Sequence, residues 1–150
     1  MGATQELARY RALPRAHRRI LLGAALRLPL AWLRLRTTGL RRMQAWAERP
    51  PAREDFRLDE AAGIGRLVNI AARHAPWRAT CLTRSLLLVR MLRERGAAAQ
   101  LRIGVRLVGG ALDAHAWVEL DGVPVNDAPD VAEQFAPFGE MPSAEQFRAP

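Results

Sequence analysis

The stretches TCLTRSLLLVRMLRERG (residues 80–96) and LRIGVRLVGGALDAHAWVEL (residues 101–120) decide the fold. The first carries apolar residues at helical spacing, and the second alternates apolar and polar residues with a period of two. The glycine pair at 109–110 divides the second stretch into the two strands of a hairpin. The sequence therefore predicts one helix followed by an antiparallel pair of strands.

Cys81 is predicted to lie in the first turn of this helix, because Thr80 can cap the helix and Gly96 can end it. The positive end of a helix favours a thiolate, and its first amides have no acceptor within the helix and can hold an oxyanion. Ser85 lies one turn further along the same face. A lone cysteine is often a small apolar core residue, so position alone leaves a catalytic and a structural interpretation open.

His115 is predicted to lie in the middle of the second strand. A two-residue turn at the glycine pair puts Ala116 opposite Ile103 on the apolar side and His115 opposite Gly104 on the other side. Small neighbours leave room for a side chain from another element to reach the ring, as a general base requires. A hydrogen-bonded core histidine is the alternative. The remaining histidines are interpreted as surface or capping residues: His17 and His74.

Asp127 is the candidate for a carboxylate that orients the histidine. After a turn at residues 121–122 the chain returns through residues 123–127. A strict two-residue turn would point Asp127 away from His115, whereas a three-residue turn or a bulge would bring it to the same face. Pro124 cannot donate a ladder hydrogen bond and favours such an irregularity. The alternative is an ordinary turn residue, and two other carboxylates are fallback candidates: Asp113 and Asp130.

The first half of the chain is helical in pattern up to about residue 49. Pro14 and Pro29 are predicted to break it, Gly39 to end a segment, and the pair Pro50-Pro51 to open a linker. We therefore expect a helical region at residues 1–50 packed on a core at residues 51–150, forming a single structural domain overall.

A further helix is predicted over about residues 59–74, and a looser segment at the end of the chain. The tail after Asp130 is rich in proline, alanine and glutamate and is expected to pack loosely. The predicted helix has four apolar residues on one face: Ile64, Leu67, Ile70 and Ala71.

The composition bounds the function classes. A chain of 150 residues with 49% apolar residues is the size of one domain with one core. Its net charge of +8 comes from arginine alone, densest in the first fifty residues, which favours an acidic or anionic partner. The usual nucleic-acid-binding signatures are absent, and no CxxC or HExxH motif indicates a metal site. A single cysteine excludes an internal disulfide and, without a signal-peptide pattern at the start, favours a cytoplasmic location.

The most apolar stretch of the chain, residues 20–35, is interrupted by Arg27, Pro29 and Arg34. It is too short to cross a bilayer, which needs about 20 apolar residues. A helix packed on its own domain with arginines outward is the favoured interpretation. A surface-lying amphipathic helix in peripheral contact with an anionic membrane is the alternative.

Taken together, these motifs resemble the leader peptidases of lasso peptide biosynthesis, which are transglutaminase-like cysteine proteases. The resemblance covers about residues 60–130 and implies an α+β fold with N-terminal helices and a catalytic helix packed on a small antiparallel sheet. It implies a triad of Cys81, His115 and Asp127 without a cofactor. The short cysteine-to-histidine separation argues against the papain-type order. The resemblance to the leader peptidases depends on these stretches: CLTRSL (81–86), LRERG (92–96), LRIGV (101–105), AHAWVE (114–119) and DG (121–122).

The resemblance also implies a reaction and partners. Such enzymes remove the leader from a ribosomally made precursor peptide, and an ATP-dependent cyclase then closes the macrolactam. A small winged-helix domain holds the leader, and we expect the form in which this domain is a separate protein. Charge alone suggests that four arginines contact this protein or an acidic leader: Arg34, Arg36, Arg41 and Arg42.

Two other functions stay open on the sequence. The same triad could pass the acyl group to an amine, as a transglutaminase-like acyltransferase or amidase, and the sequence does not separate the two reactions. A non-catalytic basic scaffold is the third hypothesis. The donor that would hold an oxyanion has three candidates: Trp77, the Cys81 amide and Asn69.

Overall fold

Helices packed on one small antiparallel sheet give the chain an α+β fold in the computed structural model, which describes residues 3–138 except Glu54 and Arg78. The helices and strands in these described residues are α1 (Ala3–Ala12), α2 (Arg15–Thr38), α3 (Leu40–Glu48), α4 (Leu58–His74), α5 (Cys81–Arg93), β1 (Gln100–Val108), β2 (Ala111–Leu120), β3 (Val123–Pro124), α6 (Val131–Gln134) and β4 (Ala136–Pro137). The predicted fold class is confirmed.

Helix α5 begins at Cys81 because Thr80 caps it, as predicted. The Thr80 Oγ1 accepts a hydrogen bond from the Thr83 amide at 3.2 Å. At the other end Gly96 takes a φ of +93°, and the Ala97 amide donates to the Leu92 carbonyl at 3.0 Å. The helix packs against α2, α3, α4 and β2, so it is the central element of the core. Its fully buried side chains include Leu86, Leu87, Leu88, Val89 and Leu92.

The sheet has the strand order β3-β2-β1-β4, and its hairpin has the predicted register. Ile103 faces Ala116 and Gly104 faces His115 across β1 and β2. The turn holds because Gly109 and Gly110 adopt φ angles of +57° and +81°, the left-handed region that a two-residue hairpin turn requires.

Pro29 does not break the N-terminal helix, contrary to prediction, and lies inside the 24-residue helix α2. A proline costs a helix one hydrogen bond and some strain. Ala24, Leu28 and Ala31 of α2 are buried on the core, and this burial offsets the cost. Gly39 ends α2 as predicted, with a φ of +79°.

One residue of a predicted apolar face is exposed, and the prediction for the tail was wrong. Ile70 of α4 is 38% exposed, because it lies at the edge of the face that Ile64 and Ala71 bury. The tail after Asp130 was expected to pack loosely, yet its residues 131–137 form α6 and the edge strand β4. Val131 and Phe135 within it are buried. The rest of the tail, residues 139–150, lies outside the described residues.

An ion-pair cluster fastens α2 to the end of α5. Arg27 donates two hydrogen bonds to the Glu94 carboxylate, at 2.9 and 2.7 Å, and Arg90 donates a third at 2.7 Å. The hydrogen bonds from Arg27, assisted by Arg90, lower the pKa of Glu94 below its ordinary value, although partial burial acts in the opposite direction.

Glu94→Gln is expected to lower the free energy of unfolding by about 1 kcal/mol at pH 7, a modest value because water reaches about a third of the side chain. A carboxylate whose pKa is lower in the folded state stabilises the fold above its unfolded pKa and loses this contribution as the pH falls. Urea unfolding at pH 7 and pH 3 should therefore show the difference between wild type and variant narrowing in acid. A difference that stays constant would contradict the ion-pair interpretation.

Candidate active site

His115 and Asp127 form a hydrogen-bonded pair at the open edge of the sheet. The distance from His115 Nε2 to Asp127 Oδ2 is 2.7 Å, and each side chain is about one-fifth exposed. The other carboxylate oxygen of Asp127 accepts the Ala128 amide at 2.9 Å. Since Asp127 occupies Nε2, the ring nitrogen left for another partner is Nδ1.

Asp127 reaches the histidine by a different route from the one predicted. The turn at Asp121-Gly122 has two residues, with Leu120 opposite Val123. The expected three-residue turn or bulge is therefore wrong. The turn is compact because Asp121 and Gly122 both adopt positive φ angles, +51° and +77°.

The irregularity lies instead at Asn126, whose side chain takes the place of a strand carbonyl. The Val125 amide donates to the Val118 carbonyl at 2.9 Å, as in a regular ladder. The Val118 amide, however, donates to Asn126 Oδ1 at 2.8 Å rather than to a main-chain oxygen. The ladder ends there, and the next residue, Asp127, is released from strand alternation and turns towards His115.

Two helices hold this departing segment through a buried polar network. Asn126 Nδ2 donates to Ser85 Oγ of α5 at 3.2 Å, and Ser85 Oγ donates to the Ala116 carbonyl at 3.1 Å. Asn69 Nδ2 of α4 donates to the Asn126 carbonyl at 2.8 Å. Ser85 and Asn126 are buried, so each of these bonds also satisfies a group that water does not reach.

Gly65 allows α4 to approach this segment closely. A Cβ at this position would lie 2.2 Å from the Val125 carbonyl oxygen and 3.3 Å from the Asn126 Cβ. Only a residue without a side chain fits there, one turn before Asn69 on the same helix. Gly65 and Asn69 therefore hold the main chain of residues 125–126 from one side.

Aromatic rings support the histidine on its own face of the sheet. The His115 ring centroid lies 5.1 Å from that of Phe135 and 6.2 Å from that of Trp117. Trp117 Nε1 donates to the buried Glu119 carboxylate at 2.9 Å, and Arg102 donates to the same carboxylate at 2.8 Å. These contacts fix the Trp117 ring, which in turn limits the movement of the imidazole.

Cys81 lies half-buried at the head of α5. Ser85, one turn further along, contacts the Ala116 carbonyl, which projects from the edge of β2 that β1 does not use. Cys81 precedes Ser85 by one helical turn, which is about 5.4 Å along the helix axis. No hydrogen bond joins Cys81 to His115 among the described residues. The structure thus brings His115 and Asp127 together and leaves the thiol separate from them.

The fallback carboxylates are engaged elsewhere. Asp113 accepts from Arg106 at 2.8 Å, and Asp130 accepts from Gln134 at 3.1 Å. Of the candidate oxyanion donors, Asn69 donates to the Asn126 carbonyl, as described above. The indole Nε1 of Trp77 is buried without a hydrogen-bond partner among the described residues, so it is a donor that the fold leaves unused.

Two clefts flank the site. One of about 520 Å³ is bounded by Trp77, Thr80 and Arg84, at the start of the cysteine helix. The other, of about 370 Å³, is lined by His115 and Asp127 among others. The segment before the cysteine helix and the histidine–aspartate pair therefore each border a cleft.

Sequence reasoning missed several supporting residues. Phe135 was overlooked because its segment was interpreted as loose tail. Gly65 gave no signal, because a glycine inside a helix does not reveal what it approaches. Asn126 did carry a weak signal, since asparagine beside a strand end often bonds to nearby main chain.

A half-buried cysteine begins the central helix, and a hydrogen-bonded histidine–aspartate pair lies at the sheet on which that helix packs, all within one α+β domain. The chain belongs to the transglutaminase-like superfamily, whose family model matches residues 24–140.

One curated relative and no solved structure accompany this family match. The chain is 37% identical over 65 residues to the microcin J25-processing protein McjB of Escherichia coli. This match covers 43% of the chain and 30% of McjB, so the chain spans less than a third of that relative. No solved structure matches the chain significantly.

Proposed function

We propose that the chain is a cysteine protease that removes the leader from a ribosomally made lasso peptide precursor. It acts with a separate leader-recognition protein of winged-helix type and with an ATP-dependent, macrolactam-forming cyclase. Membership of the transglutaminase-like superfamily and the similarity to a microcin-processing protein support this proposal. The observation that carries it is the 2.7 Å bond between His115 and Asp127 beside the helix that Cys81 begins.

In the proposed mechanism His115 accepts the thiol proton of Cys81 through Nδ1, and the thiolate attacks the scissile carbonyl carbon. The histidine then protonates the leaving amine, a thioester forms, and water hydrolyses it to the free acid. Asp127 keeps the proton on Nε2, so that Nδ1 is the basic nitrogen, and stabilises the imidazolium.

The thiol must come within hydrogen-bonding reach of Nδ1 for this chemistry. Catalytic hydrogen bonds are often long before substrate binds and tighten in the complex. The Ser85 to Ala116 bond fastens α5 to β2 one helical turn after Cys81, at the residue that follows His115 in the chain. The proposed mechanism therefore requires the Cys81 side chain and the first turn of α5 to move towards Nδ1 when the substrate binds.

Two donors are proposed to stabilise the tetrahedral intermediate. The Cys81 amide lies in the first helical turn, where amides lack an intrahelical acceptor. The indole N–H of Trp77 is buried and unused, four residues before the nucleophile. We propose that the precursor extends from the cleft beside Trp77 to the cleft beside His115, with the scissile bond between them.

Cys81→Ala is expected to abolish leader removal, a loss of about a thousandfold or more, because no other thiol can replace the nucleophile. Leader removal is measured by mass spectrometry of the precursor after incubation with the recognition protein and either the wild type or the variant. Circular dichroism verifies that the variant is folded. Since Cys81 is the only cysteine, alkylation of the wild type should add one group and cause the same loss. Cleavage by an alkylated or Cys81→Ala protein would refute Cys81 as the nucleophile, and absence of cleavage by the wild type would favour a non-catalytic scaffold.

Acyl transfer to an amine is the second candidate, favoured by the family to which the chain belongs. The same thioester then reacts with an amine instead of water. Mass analysis of the products separates the two reactions, since hydrolysis adds one water to the acyl fragment and transfer adds the amine.

A further inference from the structure

Helix α2 carries a row of exposed leucines on the side that faces away from the core. The exposed fractions of these side chains lie between 51% and 66%, although leucine is normally buried. The core-facing residues of the same helix, Ala24, Leu28 and Ala31, are almost fully buried. The row, called the leucine stripe below, consists of Leu22, Leu26, Leu30 and Leu33.

The stripe lies on one face because its residues are spaced by four, four and three positions, which is helical spacing. Helix α2 is therefore apolar on two opposite sides, and only one of them is covered by the domain. A row of exposed apolar residues of this length marks an interaction surface. None of the helices in the described part of the chain is long and apolar enough to span a bilayer.

Arginine and tryptophan pairs border the stripe on both sides. The Arg36 guanidinium lies 4.9 Å from the centre of the Trp32 ring on one side, and that of Arg34 lies 5.1 Å from the Trp46 ring on the other. Tryptophan and arginine beside leucine is the composition that suits the boundary between lipid headgroups and acyl chains. Both arginines are exposed, so their charges face outward.

The charge of α2 is of one sign. The helix contains arginines and no aspartate or glutamate. Two of its exposed arginines, Arg15 and Arg19, lie on the same face as the leucine stripe, towards the N-terminus. Salt bridges within the described residues use only one arginine of this helix, Arg27. The positive charge that borders the leucines is therefore available to an external anion.

We propose that α2 docks the protein on an anionic lipid bilayer. The leucine stripe enters the boundary of headgroups and acyl chains, the arginines contact lipid phosphates, and Trp32 and Trp46 lie at headgroup level. The opposite face of α2 remains packed on the core, so the helix lies along the surface and the domain sits above it.

The charge pattern disfavours a second copy of the chain as the occupant. Two stripes packed face to face would bring the arginines of both α2 helices together without an acidic residue between them, in a protein of net charge +8. The remaining alternative is that a protein with an acidic and apolar face binds the leucine stripe. The vesicle experiment distinguishes this alternative from the lipid bilayer. Binding of such a protein would agree with the expectation from the sequence that Arg34 and Arg36 contact an acidic partner.

The test is cosedimentation of the purified protein with phosphatidylglycerol–phosphatidylcholine vesicles and with phosphatidylcholine vesicles. Binding is expected on the anionic vesicles and is expected to weaken as salt is raised. The double variant Leu26→Asp/Leu30→Asp should reduce the partition coefficient about tenfold or more. A matched control, Leu107→Asp/Leu112→Asp, adds the same charge at leucines that are 55% and 58% exposed on the hairpin and should reduce it much less.

A smaller reduction of the partition coefficient is expected for Leu26→Ala/Leu30→Ala, because this variant removes apolar area without changing the charge. It also keeps the test decisive if the aspartate variant misfolds. Absence of binding to anionic vesicles would overturn the proposal and leave an acidic protein as the occupant. Binding that both leucine variants leave unchanged, or that the hairpin control weakens equally, would also overturn it, because the contact would then be electrostatic or unspecific.

Discussion

Asp127→Asn is expected to slow leader removal by about two to four powers of ten while the fold is retained. Asparagine can keep the hydrogen bond from the Ala128 amide through its oxygen, which leaves its amide group facing His115. That amide donates to Nε2 and forces the proton onto Nδ1, so the histidine can no longer accept the thiol proton. The loss is expected in kcat rather than in KM, because the substrate contacts are unchanged.

Asp130→Asn is the matched control for this prediction. Asp130 lies three residues further along the same segment and accepts a hydrogen bond from Gln134 at 3.1 Å on the exposed surface. Cleavage rates from mass spectrometry should be close to wild type for Asp130→Asn. If the two variants were equally active, or if Asp130→Asn were the slower one, the orienting carboxylate would not be Asp127.

Gly65→Ala is expected to lower the free energy of unfolding by about 2 kcal/mol and to slow cleavage as well. The new methyl group would lie 2.2 Å from the Val125 carbonyl oxygen and 3.0 Å from its carbon, both of which are main-chain atoms. Either α4 or the segment at 125–126 must move to make room. A movement of that segment carries Asp127 away from His115, so stability and activity should fall together.

Gly63→Ala separates this close contact from the general effect of glycine in a helix. Gly63 lies on the same helix, and a Cβ there would meet only the Arg66 guanidinium, at 3.7 Å. Alanine is the better helix former, so this variant is expected to gain up to about 1 kcal/mol. Urea unfolding of both variants should give changes of opposite sign. A stabilised Gly65→Ala protein would show that α4 does not need to approach Val125 so closely.

Asp127→Asn and Gly65→Ala act on the same physical arrangement. The Asp127 carboxylate that is hydrogen-bonded to His115 lies on no helix or strand, since β3 ends at Pro124. Its position depends on three bonds of Asn126, whose side chain accepts from the Val118 amide and donates to Ser85 and whose carbonyl accepts from Asn69. The geometry of the His115–Asp127 pair therefore depends on the packing of α4 and α5 against this short segment.

Two features that were not predicted from the sequence depend on packing against residues that are distant in the chain. Pro29 remains helical because its helix has a core to bury against. Phe135 is buried because the aromatic face around Trp117 receives it. Neither environment is encoded within a few residues of the side chain concerned, so local pattern could not predict either outcome.

The sequence by itself determined the cysteine helix and the hairpin that carries His115. Their caps, glycine turns and apolar periods are local, and local physics is sufficient to form them. Only the tertiary structure decided that Asp127 meets His115. A regular ladder from the same two-residue turn would point Asp127 away, and it is redirected because Asn126 beside it is held by Ser85 and Asn69, which lie 41 and 57 positions from Asn126 in the chain.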